Sequence, residues 1–347
     1  MNGTSAEEGA PQPGGIQMIS ARLALGMAGA LALCAPASAE ELVLPSEVAS
    51  SHWKTGYMEQ FAQKVNEATD GDIEVKIFPS GQLYSDQAAV AALGTGAVQM
   101  VWPVSVRLET IAPETGVINL PFALSDDMML DSCMKDGIRD MLTNDLQKSG
   151  LRVLGLLRTA DLYFIMSDTD VQSMQDFRNA KIRVTGGRVV QDTMEALGIS
   201  PISMAASEMS TALSQGAIDG IFTSPAGWAE MIGMTGKYAF YVPGFSILTY
   251  AVVVDDMWFQ GLPPDQQQAI QTSIDEISAT QWQEAMAKDK EALDHMIEQG
   301  AKVTVADESQ IAEWRELTTR TSASFSEAYP ETMQAMQKME DQCGVGS

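Results

Sequence analysis

Arg183 is a charge in a place that demands a reason. It interrupts the apolar run Lys181-Ile182-Arg183-Val184, a short strand that runs into a Gly186-Gly187 turn. A guanidinium offers a planar fork of donors that matches a carboxylate in two parallel bonds, and it stays charged at any working pH. At a strand end of an open α/β sheet, where such folds place their ligands, it would hold the acid group of a small molecule. A surface salt bridge is the alternative. The other candidates are hydroxyl, aromatic and acidic side chains: Trp53, Trp102, Asp161, Tyr163, Thr223, Phe222 and Trp228. Aromatic walls suit an apolar ligand body, or a cationic amine by cation–π contact, and Asp161 could pair with such an amine. The chain has only two histidines. His52 lies in the loop from Val48 to Trp53 and reads equally as a ligand contact or a solvated loop residue; His295 falls in a helical stretch and reads as a surface or packing residue. No H-E-x-x-H, C-x-x-C, G-x-S-x-G or P-loop pattern occurs. A binding protein therefore fits better than an enzyme, and neither metal nor cofactor is expected.

The elements that must position Arg183 alternate. After its strand a helix carries Val189, Val190, Met194 and Leu197 and closes at Gly198; the segment Ile199 to Met204 leads to a second helix with Ser207 as its N-cap; Ile218 to Phe222 returns as a strand. Upstream, the pattern predicts strands over 41–45, 73–78 and 98–101, with helices through Tyr57, Met58, Phe61 and Val65 and over 86–94. The stretch Ala91 to Trp102 repeats as Thr211 to Phe222: Ala, Leu, Gly and Ala recur, the strand positions stay apolar, and Trp102 answers Phe222. Two such units, not a solenoid array, predict two lobes of like architecture around a cleft, with one aromatic from each lobe able to sandwich a ligand; both rings reading as core is the alternative. Pro263-Pro264-Asp265 opens a helix with Ile270, Ile274, Ile277, Trp282, Met286, Leu293 and Ile297 at roughly helical spacing. Unbroken, it would be about 50 Å long, more than one lobe; two helices broken near Ala279 or Ala287 are the alternative. A strand over 302–305 and two terminal helices follow.

The run K-I-R-V, A-L-G, A-L-S-Q-G-A-I-D-G between Lys181 and Gly220 resembles the solute-binding proteins of tripartite ATP-independent periplasmic (TRAP) transporters. Phe78-Pro79-Ser80-Gly81-Gln82-Leu83, Asn119-Leu120-Pro121-Phe122 and Leu262-Pro263-Pro264-Asp265-Gln266-Gln267 fit the same family, in order, over most of the chain. The resemblance implies a two-lobed, type II-like periplasmic binding protein of α/β class, with the long helix spanning both lobes. It implies lobe I over 40–160 plus 250–288 and lobe II over 161–249 plus 289–347. It makes Arg183 the carboxylate clamp and turns the His52 loop toward the cleft. The chain also departs from the family. A second arginine some twenty residues before the clamp is replaced at Leu162 or Tyr163, and Arg158 sits out of step with it. An asparagine after the D-G pair is replaced by Thr223-Ser224-Pro225. Both losses argue for a small monocarboxylate, bearing a ring, hydroxyl or amine, over a dicarboxylate. The implied role is a receptor that closes on an organic acid and delivers it to TRAP membrane subunits. A periplasmic ligand sensor for a signalling receptor and a periplasmic enzyme are the rivals.

Compartment and charge agree. From Met18 the chain reads as a secretory signal peptide: Arg22, an apolar run from Leu23 to Leu33, and the small-residue site Ala37-Ser38-Ala39. The run is too short to span a bilayer comfortably, and Leu33 before Cys34 disfavours a lipid anchor. The expected mature protein is periplasmic and not membrane-embedded. Net charge is −25, and removing Glu7, Glu8 and Arg22 with the leader leaves −24, which argues against nucleic acid or anionic lipid as a partner. Cys133 and Cys343 survive maturation; in an oxidising compartment they either pair or stay free.

Overall fold

The structure, a computed structural model, describes residues 39–345; the expected leader, with Met18 and Cys34, lies outside them. Eleven strands are described: β1 (Glu40–Pro45), β2 (Ile73–Phe78), β3 (Met100–Val101), β4 (Leu151–Asp161), β5 (Tyr163–Met166), β6 (Lys181–Val184), β7 (Ser200–Ser203), β8 (Gly220–Thr223), β9 (Tyr238–Tyr241), β10 (Ile247–Asp255) and β11 (Lys302–Val305). The α-helices are α1 (Trp53–Ala68), α2 (Asp86–Ala92), α3 (Asp126–Leu130), α4 (Ser132–Leu146), α5 (Arg188–Ala196), α6 (Ala206–Ser214), a single turn α7 (Pro225–Gly227), α8 (Asp256–Gly261), α9 (Pro264–Glu298), α10 (Glu308–Ala328) and α11 (Pro330–Cys343).

Lobe I is built on the parallel pair β1-β2 and the sheet β3-β10-β4. Gln99 stitches them: its N–H donates to the Val43 carbonyl at 3.3 Å and its side-chain oxygen accepts from the Val43 N–H at 2.9 Å. Lobe II is a six-stranded sheet of order β11-β9-β5-β8-β6-β7. Two connections join the lobes side by side. β4 ends at Asp161, and after Leu162 the chain is already β5; β9 returns through 242–246 into β10, which pairs antiparallel with β4 from Leu151↔Asp255 to Asp161↔Ile247. The cleft thus opens beyond a two-stranded hinge, as expected of proteins that close around a ligand.

The long helix is continuous over 35 residues, with Pro264 at its first position, where a missing N–H costs nothing. Ile270, Ile274 and Ile277 bury against lobe I. The approach to β4 is close enough that a Cβ at Gly155 would lie 2.7 Å from Ile274 Cγ2. Gln281, fully buried, bonds both backbone groups of Arg158: its oxygen accepts from the N–H at 2.9 Å and its Nε2 donates to the carbonyl at 2.7 Å. Nineteen residues past Ile277 the same helix is in the other lobe, where Met296 joins the small core of Ile165, Ile221 and Trp228. None of the described helices is long and apolar enough to cross a membrane.

Three expectations need correction. The strand over 98–101 shrinks to Met100–Val101, with Val98 held by a single bridge to Leu93. α6 is entered from Ala205, not capped by Ser207; Glu208 supplies the capping bond instead, its carboxylate accepting from the Ala205 N–H at 3.2 Å. The third concerns the tail. α11 packs on α4 of lobe I, and Cys343 is bonded to Cys133 with their Cα atoms 5.7 Å apart. The tail assigned to lobe II as 289–347 therefore crosses back for its last helix. Closing a loop with a sequence separation of 210 residues contributes roughly 5 kcal/mol in the chain-entropy model.

Candidate functional site

Arg183 is the residue just inside the carboxyl end of β6, flanked by Ile202 of β7 and Ile221 of β8, both parallel to it. It is only 2 % exposed. Its Nε and Nη2 both donate to one acceptor, the Met204 carbonyl, at 3.2 and 3.0 Å. A neutral carbonyl orients the guanidinium without neutralising it. Burial pushes its pKa down to about 10, and Arg107 pushes the same way, with Glu47 partly opposing. The charge survives at neutral pH but is under-compensated.

Arg107 is the residue that sequence reasoning missed. It stands on a 3-10 helix, Ser105–Thr110, between the buried Val106 and Leu108. Its Nε is buried without a hydrogen-bond partner among the described residues. It comes so near the turn after β6 that a Cβ on Gly186 would lie 3.1 Å from its Nη1; Gly186 also has φ +127°, so this position needs glycine on two counts. The signal was present: a charge between two apolar residues, the same cue that singled out Arg183. It was hidden because a 3-10 helix has no long periodicity to make the interruption stand out.

Lobe I adds an acidic and basic floor. Glu47, just past β1, and Asp86, first residue of α2, trade bonds: the Glu47 N–H donates to Asp86 at 3.3 Å and the Asp86 N–H to Glu47 at 3.1 Å. Burial, with Asp86 beside it, pushes the Glu47 carboxyl up. Lys54, fully buried, donates to the Trp102 carbonyl at 3.0 Å, lies 3.7 Å from Asp86 and sits 4.3 Å from the centre of the Tyr250 ring. Arg183 and Arg107 come from different lobes, and the Glu47 carboxylate acts electrostatically on both. The combination suits an anion that also carries hydrogen-bond donors.

The remaining expected residues separate into two groups. Thr223 ends β8, two residues beyond the neighbour of Arg183, and is 8 % exposed. Trp53 opens α1, partly buried, with Tyr250 edge-on at 5.7 Å. The others are committed to the fold. Trp102 is 1 % exposed, packs on Phe61 and gives its indole N–H to Met100 Sδ at 3.2 Å. Phe222 packs on Phe164 and Phe245. These are separate sets of rings, so the expected aromatic sandwich is replaced by two core positions. Trp228 is fully buried and donates to the Gly236 carbonyl at 2.9 Å. Tyr163 stacks on Tyr241 at 4.4 Å. Asp161 binds Arg158 at 2.7 Å, so it does not await a ligand amine. His52 caps α1, its Nδ1 accepting the Lys54 N–H at 3.1 Å; burial first, then Lys54, lowers its pKa to about 4 and keeps it neutral.

A two-lobed α/β fold with a hinge of paired strands, a helix running through both lobes and a buried arginine at the carboxyl end of a parallel strand defines a ligand-binding receptor. Residues 45–328 match the family described as bacterial extracellular solute-binding protein, family 7, and the chain belongs to that family. It is 29 % identical to the C4-dicarboxylate-binding periplasmic protein DctP of Rhodobacter capsulatus, over 89 % of this chain and 92 % of that protein. It is 25 % identical to the 2,3-diketo-L-gulonate-binding periplasmic protein YiaO of Escherichia coli, over 70 % of this chain and 74 % of that one. Among solved structures, a TRAP periplasmic solute binding protein from Sulfitobacter, with bound β-D-galacturonate, superposes with a TM-score of 0.78 at 21 % identity, covering 87 % of this chain and 100 % of that one. One from Shewanella oneidensis, with bound succinate, gives 0.78 at 22 % identity, covering 87 % and 99 %. These likenesses bear out the two-lobed fold and the long lobe-spanning helix.

Proposed function

We propose that this protein is a periplasmic receptor for a small hydroxylated organic acid, which it closes on in the interlobe cleft and delivers to TRAP membrane subunits. It performs no chemistry on its ligand. The observation that carries this reading is the buried Arg183, whose charge is met within the protein by a carbonyl and opposed by Arg107. A carboxylate between the two arginines supplies the missing negative charge with charge-assisted bonds. Its hydroxyls would donate to Glu47 and Asp86, which a second carboxylate would instead repel. That favours sugar acids over C4-dicarboxylates, against the names of the relatives, of which the C4-dicarboxylate-binding DctP is 29 % identical and the 2,3-diketo-L-gulonate-binding YiaO 25 %. Thr223 and Trp53 complete the wall in this reading, and the working lobe boundary is the β4–β5 crossing with α11 returned to lobe I.

The test is calorimetric titration of the chain from Glu40 with D-galacturonate, D-glucuronate and succinate. We expect a sugar acid to bind most tightly. Arg183→Ala should cost about 2–5 kcal/mol of binding, roughly thirty-fold to several-thousand-fold. Succinate binding more tightly than either sugar acid would remove the hydroxyl argument; undiminished affinity in Arg183→Ala would remove the clamp.

A further inference from the structure

Glu109 has no part in that reading, yet it is buried, 7 % exposed, on the same 3-10 helix as Arg107. One carboxylate oxygen accepts from Asn119 Nδ2 at 2.9 Å and the other from the Val189 N–H at 3.0 Å. Val189 is the second residue of α5, in lobe II. Helix N-termini leave N–H groups free and carry partial positive charge. α5 starts from Gly187, which has φ +83° and no side chain to cap with. The acceptor comes instead from the other lobe.

The fit there is close. A Cβ at Gly187 would lie 2.8 Å from Val106 Cβ and 3.0 Å from Glu109 Oε1, and one at Gly116 would lie 2.7 Å from Val189 Cγ2. Burial pushes the Glu109 carboxyl up, while the bonds from Val189 and Asn119 pull it back. A buried carboxylate is tolerated only with such partners, so the contact favours the lobes together. The Gly186-Gly187 turn ties α5 directly to β6 and Arg183, and Arg107 lies two residues before Glu109.

We infer that Glu109 is the closing latch: a positioning residue that seats the first turn of α5 on lobe I when the cleft shuts and so sets how slowly ligand leaves. The ligand half of this inference rests on the receptor reading; the latch itself does not.

The experiment uses the chain from Glu40 carrying Glu109→Ala or Glu109→Gln, with one spin label on each lobe. Distances are measured by pulsed EPR without ligand and with D-galacturonate or succinate, and dissociation is followed by stopped-flow tryptophan fluorescence. Glu109→Ala should lose the short-distance population and release acid about tenfold faster or more, the scale of one charge-assisted hydrogen bond, with association little changed. Glu109→Gln, which keeps an acceptor oxygen, should recover most of both. A wild-type distance distribution in Glu109→Ala overturns the latch, as does a wild type that never populates the short distance. If neither acid binds while the variants still shift the ligand-free distances, the latch stands and the receptor reading for these acids falls. Thermal unfolding of each variant identifies any that has lost its fold, and Glu109→Gln, with the same shape, carries the test if Glu109→Ala has.

Discussion

Arg158 and Arg183 are the same residue at nearly the same burial, 1 % and 2 % exposed, in opposite electrostatic settings. Arg158 lies on β4 just before the hinge. Its Nε and Nη2 bind Asp126 at 2.7 and 3.2 Å, Nη2 also binds Asp161 at 2.7 Å, and Nη1 binds Asp289 of the long helix. The Trp282 indole N–H, donating to Asp126 at 2.8 Å, fills out the cluster. Burial works against its charge, but the three carboxylates outweigh burial and hold the guanidinium more firmly protonated than usual. Arg183 has one carbonyl and a like-charged neighbour. A buried arginine ringed by acids joins elements to one another; one held by neutral groups keeps its charge for something else. The contrast also explains why Asp161 failed as an amine site: Arg158, three residues earlier on the same strand, claims it.

The largest expected effect breaks the structural side. Arg158→Met should destabilise the protein by about 3–5 kcal/mol, since it strands three part-buried carboxylates. Urea unfolding at neutral pH reads this. A change under about 1 kcal/mol would mean that the cluster is as idle as an exposed ion pair. His52 comes next, because it was a ligand candidate and the structure hands it to the helix cap. Its folded pKa, about 4, lies below its ordinary 6.5. The unfolded chain therefore takes up a proton first as pH falls. The stability contributed by neutral His52 is present above pH 6.5 and is lost on the way down to about pH 4. Wild type should lose about 1–3 kcal/mol more over that range than His52→Asn, which keeps a capping oxygen but does not titrate. Identical pH profiles, together with weakened acid binding in the variant, would move His52 to the ligand side. The smallest effect sharpens the contrast with Arg158. Arg183→Met should change the stability of the ligand-free protein by no more than about 1 kcal/mol, in either direction, because the one carboxylate acting on it, Glu47, still has Lys54 and Arg107 beside it. A loss on the scale of Arg158 would make Arg183 structural as well.

Much of the architecture was legible because it is written in local periods. The strands over 73–78, 181–184 and 302–305 match their predicted bounds, and α9 is one helix because its apolar positions recur without a break. The repeat around Trp102 and Phe222 was real as sequence, but identical local patterns do not fix what a side chain faces. Both rings turned inward because each lobe had aromatic neighbours to bury them, Phe61 on one side and Phe164 with Phe245 on the other. Arg183 was found because a charge inside a four-residue strand is visible in one dimension.

By itself the sequence determined the class of fold, the alternation that places Arg183 at a strand end, the length of the lobe-spanning helix and the acidic surface. All of these follow from hydrophobic period, turn residues and composition, which act over a few residues at a time. Only the tertiary structure decided which charges meet. Arg107 and Arg183, 76 positions apart, converge across the cleft; Glu109 caps a helix of the other lobe; Asp289 closes on Arg158; Cys343 reaches Cys133. These pairings depend on how two lobes and a hinge are assembled. Hydrogen bonds require contact at about 3 Å and charge–charge energies weaken as the inverse of distance in space, not along the chain, so the character of each buried charge is set by spatial neighbours that no local pattern names.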